Sequence, residues 1–434
     1  MAELGQVLRL DARRTALLVA VPVLAGIGVV PAWLSLVPGI GYWDNSVVAL
    51  ADAVRTLGPV AAALSAWAAL RERRLDYLRD LTPRSPATGS LHDLLLLSAA
   101  ALVAYGVVTT VVVFETMSRL EAGRPNPLGM LSGAAALVLH VVAGYLVGRS
   151  VPRPATPPLV GAATGSWAAL RAPDGSWLSL LPPAALGRVE LFTTLRTEVL
   201  AWQTAWSLGL VAALVCGHVA WMTRRSPAIV PLAAALAVSG LATVRLEASG
   251  GEAAAAVPTA RVCREWPLTV CVHPALRAAL PTLSAAVTPL ATRLTGTPGE
   301  FTRVEQRPAA EPAGVAGGVA AVHLDDELPA GYQTRVVQQI AGGLVTAPTC
   351  TGRPAQYRAL VDAWLLGQRP PEIADTRAAR RFAALSEDGR RTWLTARYPR
   401  YRTCRLGPAD FRAPARKQPG KTKAAPVKAR PEDR

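Results

Sequence analysis

Residues 94–114 read LLLLSAAALVAYGVVTTVVVF, an apolar run without a single charged side chain. As an α-helix, which rises 1.5 Å per residue, this run is about 30 Å long and matches the hydrocarbon thickness of a bilayer. A helix that is apolar on all sides belongs in a large protein core or in lipid. The stretch therefore predicts a membrane-spanning helix and decides the fold class, which is mainly α.

Further apolar stretches lie on both sides of this run, and they cover 15–37, 47–70, 131–148, 156–170, 199–222 and 227–244. The stretch 156–170 is shorter than the ~20 residues that a crossing requires, so six spans remain an alternative to seven. Together these stretches predict a polytopic transmembrane helix bundle of about seven spans within residues 1–246.

The composition agrees with a membrane protein, because only 18% of the 434 residues are charged and 51% are hydrophobic, whereas soluble domains carry about 25% charged residues. The net charge of +16 could indicate a nucleic-acid partner. However, arginines cluster at the ends of the apolar runs, where they meet lipid headgroups. We therefore predict the lipid bilayer, and no nucleic acid, as a partner.

The charge distribution also predicts the orientation of the chain. Arg9, Arg13 and Arg14 precede the first apolar run, and basic flanks stay on the cytoplasmic side of a membrane. Seven spans then place the C-terminal residues outside the cytoplasm, whereas six spans would place them inside. The predicted localisation is a cell membrane, with a cytoplasmic N-terminus and an extracytoplasmic C-terminal domain.

Residues 247–407 have ordinary soluble composition and predict a small, mostly helical domain. An amphipathic helix is expected over 273–296. Two β-like runs follow at 301–304 and 319–324, and further helices are expected near 332–345, 355–366 and 376–396. The remaining residues, 408–434, form a tail rich in Lys, Arg and Pro that predicts disorder.

Four of the five cysteines fall in this C-terminal domain, namely Cys263, Cys271, Cys350 and Cys404. An even number of cysteines in an exported domain favours disulfides, with Cys263–Cys271 and Cys350–Cys404 as the natural pairs. Reduced thiols in a cytoplasmic domain are the alternative. The fifth, Cys216, lies inside a predicted span.

Ionisable side chains inside the predicted spans are candidates for function. Asp52 and Arg55 are three residues apart on one helix face, so they could form a substrate or gating contact or, as the favoured interpretation, a structural ion pair. His140 and His218 could serve a proton relay, although neutral packing histidines are the more common case.

Catalytic motifs are missing from the sequence. It has no HExxH or paired CxxC pattern, no GxSxG turn in a strand–turn–helix context, and no phosphate-binding loop. His323 and Asp325 could share one face of a strand and hold a divalent ion, but a solvated turn before Pro329 is the favoured interpretation. We expect no enzyme, no cofactor and no resident metal.

The segment from span two into the next loop resembles permease subunits of the type-2 ABC exporter family, particularly actinobacterial ones. The resemblance rests on Gly58 to Ala63, Ala66-Trp67, Arg71 to Arg74 and Tyr77 to Pro83, and more weakly on Cys-Val-His-Pro at 271–274. It implies that residues 71–84 form a cytoplasmic coupling helix for a separate ATPase, with Arg71, Arg73, Arg74, Leu75, Leu78, Arg79 and Leu81 in contact.

Two features depart from that family, since its permeases have six spans and lack a large C-terminal domain. The expected function is nevertheless a permease-like subunit of an ABC-type export system, working with a separate ATPase and as a homo- or heterodimer. The alternative is a non-transporting membrane protein whose exported domain binds a partner or a cell-wall component.

Overall fold

The computed structural model describes residues 17–36, 40–73, 86–119, 121–173, 176–223, 228–346 and 349–412. The fold is mainly helical. Among the described residues, the first half contains a bundle of seven helices: α1 (Leu17–Ser35), α2 (Trp43–Arg73), α3 (Pro86–Ser118), α4 (Pro127–Ser150), α5 (Thr156–Ala169), α6 (Thr197–Thr223) and α7 (Ile229–Ala248). Each apolar stretch of the sequence lies within or overlaps one of these helices.

Five of these helices, α2, α3, α4, α6 and α7, are long and apolar enough to cross a membrane. The protein is therefore compatible with a multi-pass membrane location. Helix α1 is apolar but shorter, and α5 has only 14 residues, which span roughly 21 Å. Large apolar side chains remain exposed around the bundle, as lipid-facing residues would be, among them Val103, Phe114, Val230 and Val244.

Helix α2 is the centre of the bundle and packs on α1, α3, α4 and α5. It runs parallel to α4, and two glycines of α4 allow a close approach. Gly144 lies against Ala62, and a Cβ atom on Gly148 would lie only 2.5 Å from the carbonyl oxygen of Ala66. Small residues at such positions let helices associate in lipid, where packing replaces the hydrophobic effect.

The end of the bundle where α2, α4 and α6 begin is here called the outer end, and the opposite end is called the inner end. The outer end is covered by residues 176–196, here named the bridging segment. This segment links α5 to α6 and contains the short strand β3 (Thr193–Leu195). β3 pairs antiparallel with β4 (Ala254–Ala256), which follows α7. A second short pair, β1 (Gly41–Tyr42) with β2 (Glu121–Ala122), joins two loops at the same end.

The chain after β4 folds as a five-stranded sheet covered by helices. The strands are β5 (Val262–Arg264), β6 (Thr269–Val272), β7 (Arg303–Gln306), β8 (Gly314–Ala316) and β9 (Val319–Val322), and their order is β5-β6-β7-β9-β8. β6, β7 and β9 run parallel to each other, while β5 and β8 are antiparallel edges. The helices are α8 (Leu280–Leu294), α9 (Tyr332–Gly343), α10 (Gly352–Leu366), α11 (Thr376–Ala383) and α12 (Glu387–Arg402).

Residues 254–412, here called the C-terminal unit, share one hydrophobic core with the outer end of the bundle. Leu180 of the bridging segment, Leu246 of α7, and Val270 and Leu276 of the sheet region belong to one cluster. Each of these four side chains is at most 1% exposed. The boundary that composition places at residue 246 therefore does not separate two cores, because the bridging segment contributes apolar side chains that the C-terminal unit covers.

Candidate functional site

The predicted intramembrane pair Asp52 and Arg55 is brought together and serves the end of α5. The closest oxygen of Asp52 lies 3.5 Å from Arg55, and the Ser35 hydroxyl donates to Asp52 at 2.8 Å. Arg55 also donates to the carbonyl oxygens of Ala168 (2.7 Å) and Arg171 (3.0 Å). These carbonyls lie at and just beyond the end of α5, where helical acceptors lack partners, so the geometry is that of a structural pair.

Arg171 follows α5 and organises the irregular backbone of the bridging segment. Its buried side chain donates to the carbonyl oxygens of Trp167 (3.0 Å), Leu178 (3.2 Å), Leu181 and Pro183 (2.7 Å). Burial, and secondarily the Arg55 guanidinium, lower the pKa of Arg171 to about 10, so it stays charged at neutral pH. Irregular backbone near a membrane requires such internal partners. Nothing in the local sequence identified this role.

The two intramembrane histidines do not form a relay with each other in the described part of the chain. The Nδ1 atom of His140 lies 2.8 Å from the carbonyl oxygen of Ala136 in its own helix. The Nε2 atom of His218 is buried and has no hydrogen-bond partner within the described ranges. The structure therefore gives His140 a packing role and leaves His218 without an assigned one.

The four cysteines of the C-terminal unit are bonded in the two expected pairs. Cys263–Cys271 joins the paired strands β5 and β6, with Cα atoms 4.1 Å apart. Cys350–Cys404 connects the residues before α10 to those after α12, with Cα atoms 5.8 Å apart. Cys216, on α6, is a free thiol.

The predicted coupling segment lies largely outside the described residues, and this includes Arg74, Leu75, Leu78, Arg79 and Leu81. Arg71 and Arg73 are described at the inner end of α2. The Arg71 guanidinium lies 5.8 Å from the Trp67 ring, and Arg73 donates to the carbonyl oxygen of Arg149 at 2.9 Å. The hydrogen bond from Arg73 ties the inner ends of α2 and α4 together.

A cavity of about 520 Å³, here called the acidic cleft, lies between the C-terminal unit and the bridging segment. Residues that follow β7 and β9 form one wall, at the carboxyl edge of the parallel strands, where open α/β sheets bind ligands. Residues 188–192 form the other wall. The charged and imidazole side chains that line it are Arg188, Glu190, Arg307, His323, Asp325, Asp326 and Glu327.

Most charges of the acidic cleft are already paired. Arg188 lies 2.9 Å from Glu327, Arg335 lies 3.3 Å from Asp325, and Arg307 lies 3.4 Å from Glu311. The side chains of Glu190 and Asp326 form no hydrogen bond or ion pair within the part of the chain that the structure describes. The cleft therefore holds two available carboxylates in a chain whose net charge is +16.

The environment of Asp326 favours its protonated form more than water would. Burial raises the pKa of Asp326, and nearby Glu190, Asp325 and Glu327 raise it further, while the Arg188 guanidinium opposes the shift. A cation placed beside Asp326 would reverse this effect, because an opposite charge stabilises the carboxylate. The cleft can thus receive a positively charged group without adding a buried unpaired charge.

The sequence had indicated the turn after β9 but not the cleft. The Nε2 atom of His323 lies 2.8 Å from the carbonyl oxygen of Glu311, so this ring nitrogen is engaged in a hydrogen bond. No group of three or more metal-ligating side chains is found among the described residues. Glu190 comes from a segment more than a hundred residues away, so only the fold brings it to Asp326.

Comparisons with models of protein families, with curated proteins and with solved structures give no match for this chain.

Proposed function

We propose that this chain is a multi-pass protein of the cell membrane whose C-terminal unit lies outside the cytoplasm and binds a cationic ligand in the acidic cleft. Five apolar helices support the membrane location. Arginines concentrated at the inner end, such as Arg73, Arg149 and Arg153, support a cytoplasmic inner side. The two disulfides of the C-terminal unit support an oxidising compartment at the other end.

The observation that carries the binding proposal is the pair of available carboxylates, Glu190 and Asp326, at the carboxyl edge of the parallel strands. An ammonium or guanidinium group between them would form charge-assisted hydrogen bonds, which are among the strongest in proteins. The shared core holds both walls of the cleft in place, so little ordering is required on binding. These features support a binding role for the cleft.

The experiment uses the purified full chain in detergent and measures binding of a trilysine peptide by calorimetry. We expect binding that weakens as salt increases and that falls at least about tenfold in the double variant Glu190→Gln/Asp326→Asn. Triglutamate should not bind. Asp388→Asn is the matched control, because Asp388 is an exposed acid on α12 (88% of its side chain) outside the cleft.

Equal affinity of trilysine for the wild type and the double variant would overturn the proposal. So would equal binding of triglutamate. A reduced affinity in Asp388→Asn of the same size would show that trilysine responds to overall charge and not to the cleft.

A second candidate is the permease-like subunit of an ABC-type export system, acting with a separate ATPase and as a homo- or heterodimer. Two hydrogen bonds at the inner end of the bundle support this candidate. Arg73 donates to the carbonyl oxygen of Arg149, and the Tyr145 hydroxyl donates to Asp93 at 2.9 Å. These hydrogen bonds would couple a displacement of residues 74–85 to movements of α2, α3 and α4. The comparisons identify no permease, so this candidate depends on the sequence resemblance and these contacts.

Co-purification tests the second candidate. The wild-type chain should retain an ATPase subunit during affinity purification from its native membrane. The triple variant Arg73→Glu/Arg74→Glu/Arg79→Glu should lose it, while the acidic-cleft variant should keep it. Retention of the ATPase by the charge-reversed chain would exclude coupling through residues 71–84.

A further inference from the structure

A second cavity, of about 670 Å³, lies between the outer end of the bundle and the C-terminal unit. It is lined by the first residues of α2, α4 and α6 and by the start of the 3₁₀ helix Pro274–Ala279. We call it the helix-start cavity. It is distinct from the acidic cleft, and the contact between the rings of Phe192 and His273 (centroids 5.0 Å apart) lies between the two.

His273 provides a buried donor in this cavity. The residue is 2% exposed, and its Nδ1 atom accepts a hydrogen bond from the Ala275 backbone N–H at 3.2 Å. The ring proton must therefore be on Nε2 when the imidazole is neutral. Nε2 has no hydrogen-bond partner within the described ranges, and His273 lines the cavity, so this N–H is available to a ligand.

Asp44 provides a buried acceptor in the same cavity. It is 7% exposed and accepts a hydrogen bond from the Thr194 hydroxyl at 2.9 Å. No cationic side chain is paired with it among the described residues, although a buried carboxylate is normally paired. The Thr194 hydroxyl, the Leu195 backbone and the Tyr42 hydroxyl contact this carboxylate and, with the start of α2, partly compensate its charge. An ammonium group in the cavity would complete that compensation.

Positive charge comes from two arginines on the rim of the cavity and from the start of α6. Arg124 is exposed and forms no ion pair within the described part of the chain, and Arg196 pairs only with the exposed Glu252, at 2.8 Å. Thr197 at the start of α6 also lines the cavity, and helix starts favour anions. The start of α4 is already capped, because the Leu128 N–H donates to the side chain of Asn126 at 3.1 Å. The cavity therefore offers a carboxylate for a cation and a positive rim for an anion.

We propose that the helix-start cavity binds a small zwitterion, with its ammonium group on Asp44 and its phosphate or carboxylate group on Arg124, the start of α6 and His273. An ethanolamine phosphate group has this chemistry, whether it is a free solute or the headgroup of a phospholipid. The inference does not depend on the acidic cleft.

The test measures binding of phosphoethanolamine to the full chain in a detergent without phosphate, by calorimetry and by thermal unfolding. We expect phosphoethanolamine to bind and to raise the unfolding temperature. Inorganic phosphate and ethanolamine, each carrying only one of the two charges, should bind at least about tenfold more weakly. Comparable binding of all three compounds, or no binding of phosphoethanolamine, would overturn the proposal.

Two variants locate the site. Asp44→Asn should weaken binding of phosphoethanolamine at least about tenfold. Because Asp44 is buried and its variant could misfold, Arg124→Gln on the exposed rim provides an independent test with the same expected direction. Asp326→Asn, in the acidic cleft, should leave this affinity unchanged. Unaltered affinity in a folded Arg124→Gln protein would contradict the site.

Nanodiscs distinguish the two sources of the zwitterion. If lipid headgroups enter the cavity, phosphatidylethanolamine nanodiscs should weaken binding of free phosphoethanolamine relative to phosphatidylglycerol nanodiscs. Equal affinities in both would identify a free solute as the ligand. Loss of binding in both types of nanodisc would overturn the proposal, since the cavity would then be closed in a bilayer.

Discussion

At the residue scale, single buried polar groups connect segments that are far apart in the sequence. Arg171 holds four carbonyl oxygens of the backbone between α5 and the bridging segment. Asn45 exchanges two hydrogen bonds with the backbone of Val189, at 2.9 and 3.3 Å. These side chains form hydrogen bonds with backbone groups that lie outside regular helices and strands. Replacing either side chain should therefore lower the free energy of unfolding substantially.

Replacing Arg171 by Met should destabilise the protein strongly. The change removes the donors and leaves buried carbonyl oxygens without partners, which costs at least about 2 kcal/mol. Thermal unfolding in detergent measures the effect. Arg188→Met is the matched control, because the Arg188–Glu327 pair is half exposed and exposed pairs contribute about 0–1 kcal/mol. Equal unfolding temperatures for the two variants would contradict the role of Arg171.

His273 should make stability depend on pH. Burial lowers the pKa of His273 from its ordinary 6.5 to about 4. Between these values the unfolded chain binds a proton that the folded protein does not, so the free energy of unfolding decreases as the pH falls. About 2 kcal/mol should be lost between pH 7 and pH 5.

Comparison with His273→Asn isolates this contribution, because asparagine can still cap the following 3₁₀ helix but does not titrate. The wild type should lose more stability than the variant between pH 7 and pH 5, as measured by thermal unfolding at both pH values. Identical losses would mean that His273 is accessible to protons in the folded protein.

At the element scale, the parallel packing of α2 and α4 depends on glycine. Gly148→Ala should lower the unfolding temperature and promote dissociation or aggregation, because the new Cβ atom would lie 2.5 Å from the Ala66 carbonyl oxygen. Gly240→Ala on α7 is the control, since no atom lies within 4 Å of its added Cβ. Size-exclusion chromatography and thermal unfolding compare the two variants. Equal elution profiles and equal unfolding temperatures would show that α2 and α4 do not require close contact at Gly148.

The two disulfides should differ in their contribution to stability. Cys350–Cys404 closes a loop with a sequence separation of 54, whereas Cys263–Cys271 closes one with a separation of 8. In the chain-entropy description these loops correspond to about 4 and about 2.5 kcal/mol. Replacement of each pair by serine should therefore destabilise the C-terminal unit more for the longer loop. Denaturant unfolding measures this order, and the reverse order would contradict it.

At the scale of the whole molecule, the bundle and the C-terminal unit should stay together even after the chain is cut. An inserted protease site between Pro258 and Thr259 lies in the link between β4 and β5. After cleavage, both fragments should elute as one species in detergent, because they share the core that contains Leu180, Leu246 and Leu276. Release of a free C-terminal unit would show that the core is divided.

Much of the bundle could be predicted from the sequence, because an apolar helix leaves its signal in consecutive residues. All seven apolar stretches form helices, including the short 156–170. In the five-stranded sheet, β7 and β9 overlap the two predicted β-like runs. The strands β5, β6 and β8 were not predicted, because their three or four residues carry little periodicity and their pairing depends on distant residues. The acidic cleft and the helix-start cavity could not be predicted either. Long-range packing alone brings Glu190 and Asp326 into the same cleft and places the Thr194 hydroxyl beside Asp44.

The shared core also sets an order of events during biosynthesis. The ribosome completes the bridging segment long before it makes the sheet and helices that cover it. Val189, Leu191 and Phe192, which are buried in the finished protein, therefore stay exposed until the last third of the chain has been made. A premature stop after α7 would leave these apolar residues of the bridging segment uncovered. Quality-control proteases could recognise the unfinished protein by this exposed apolar surface.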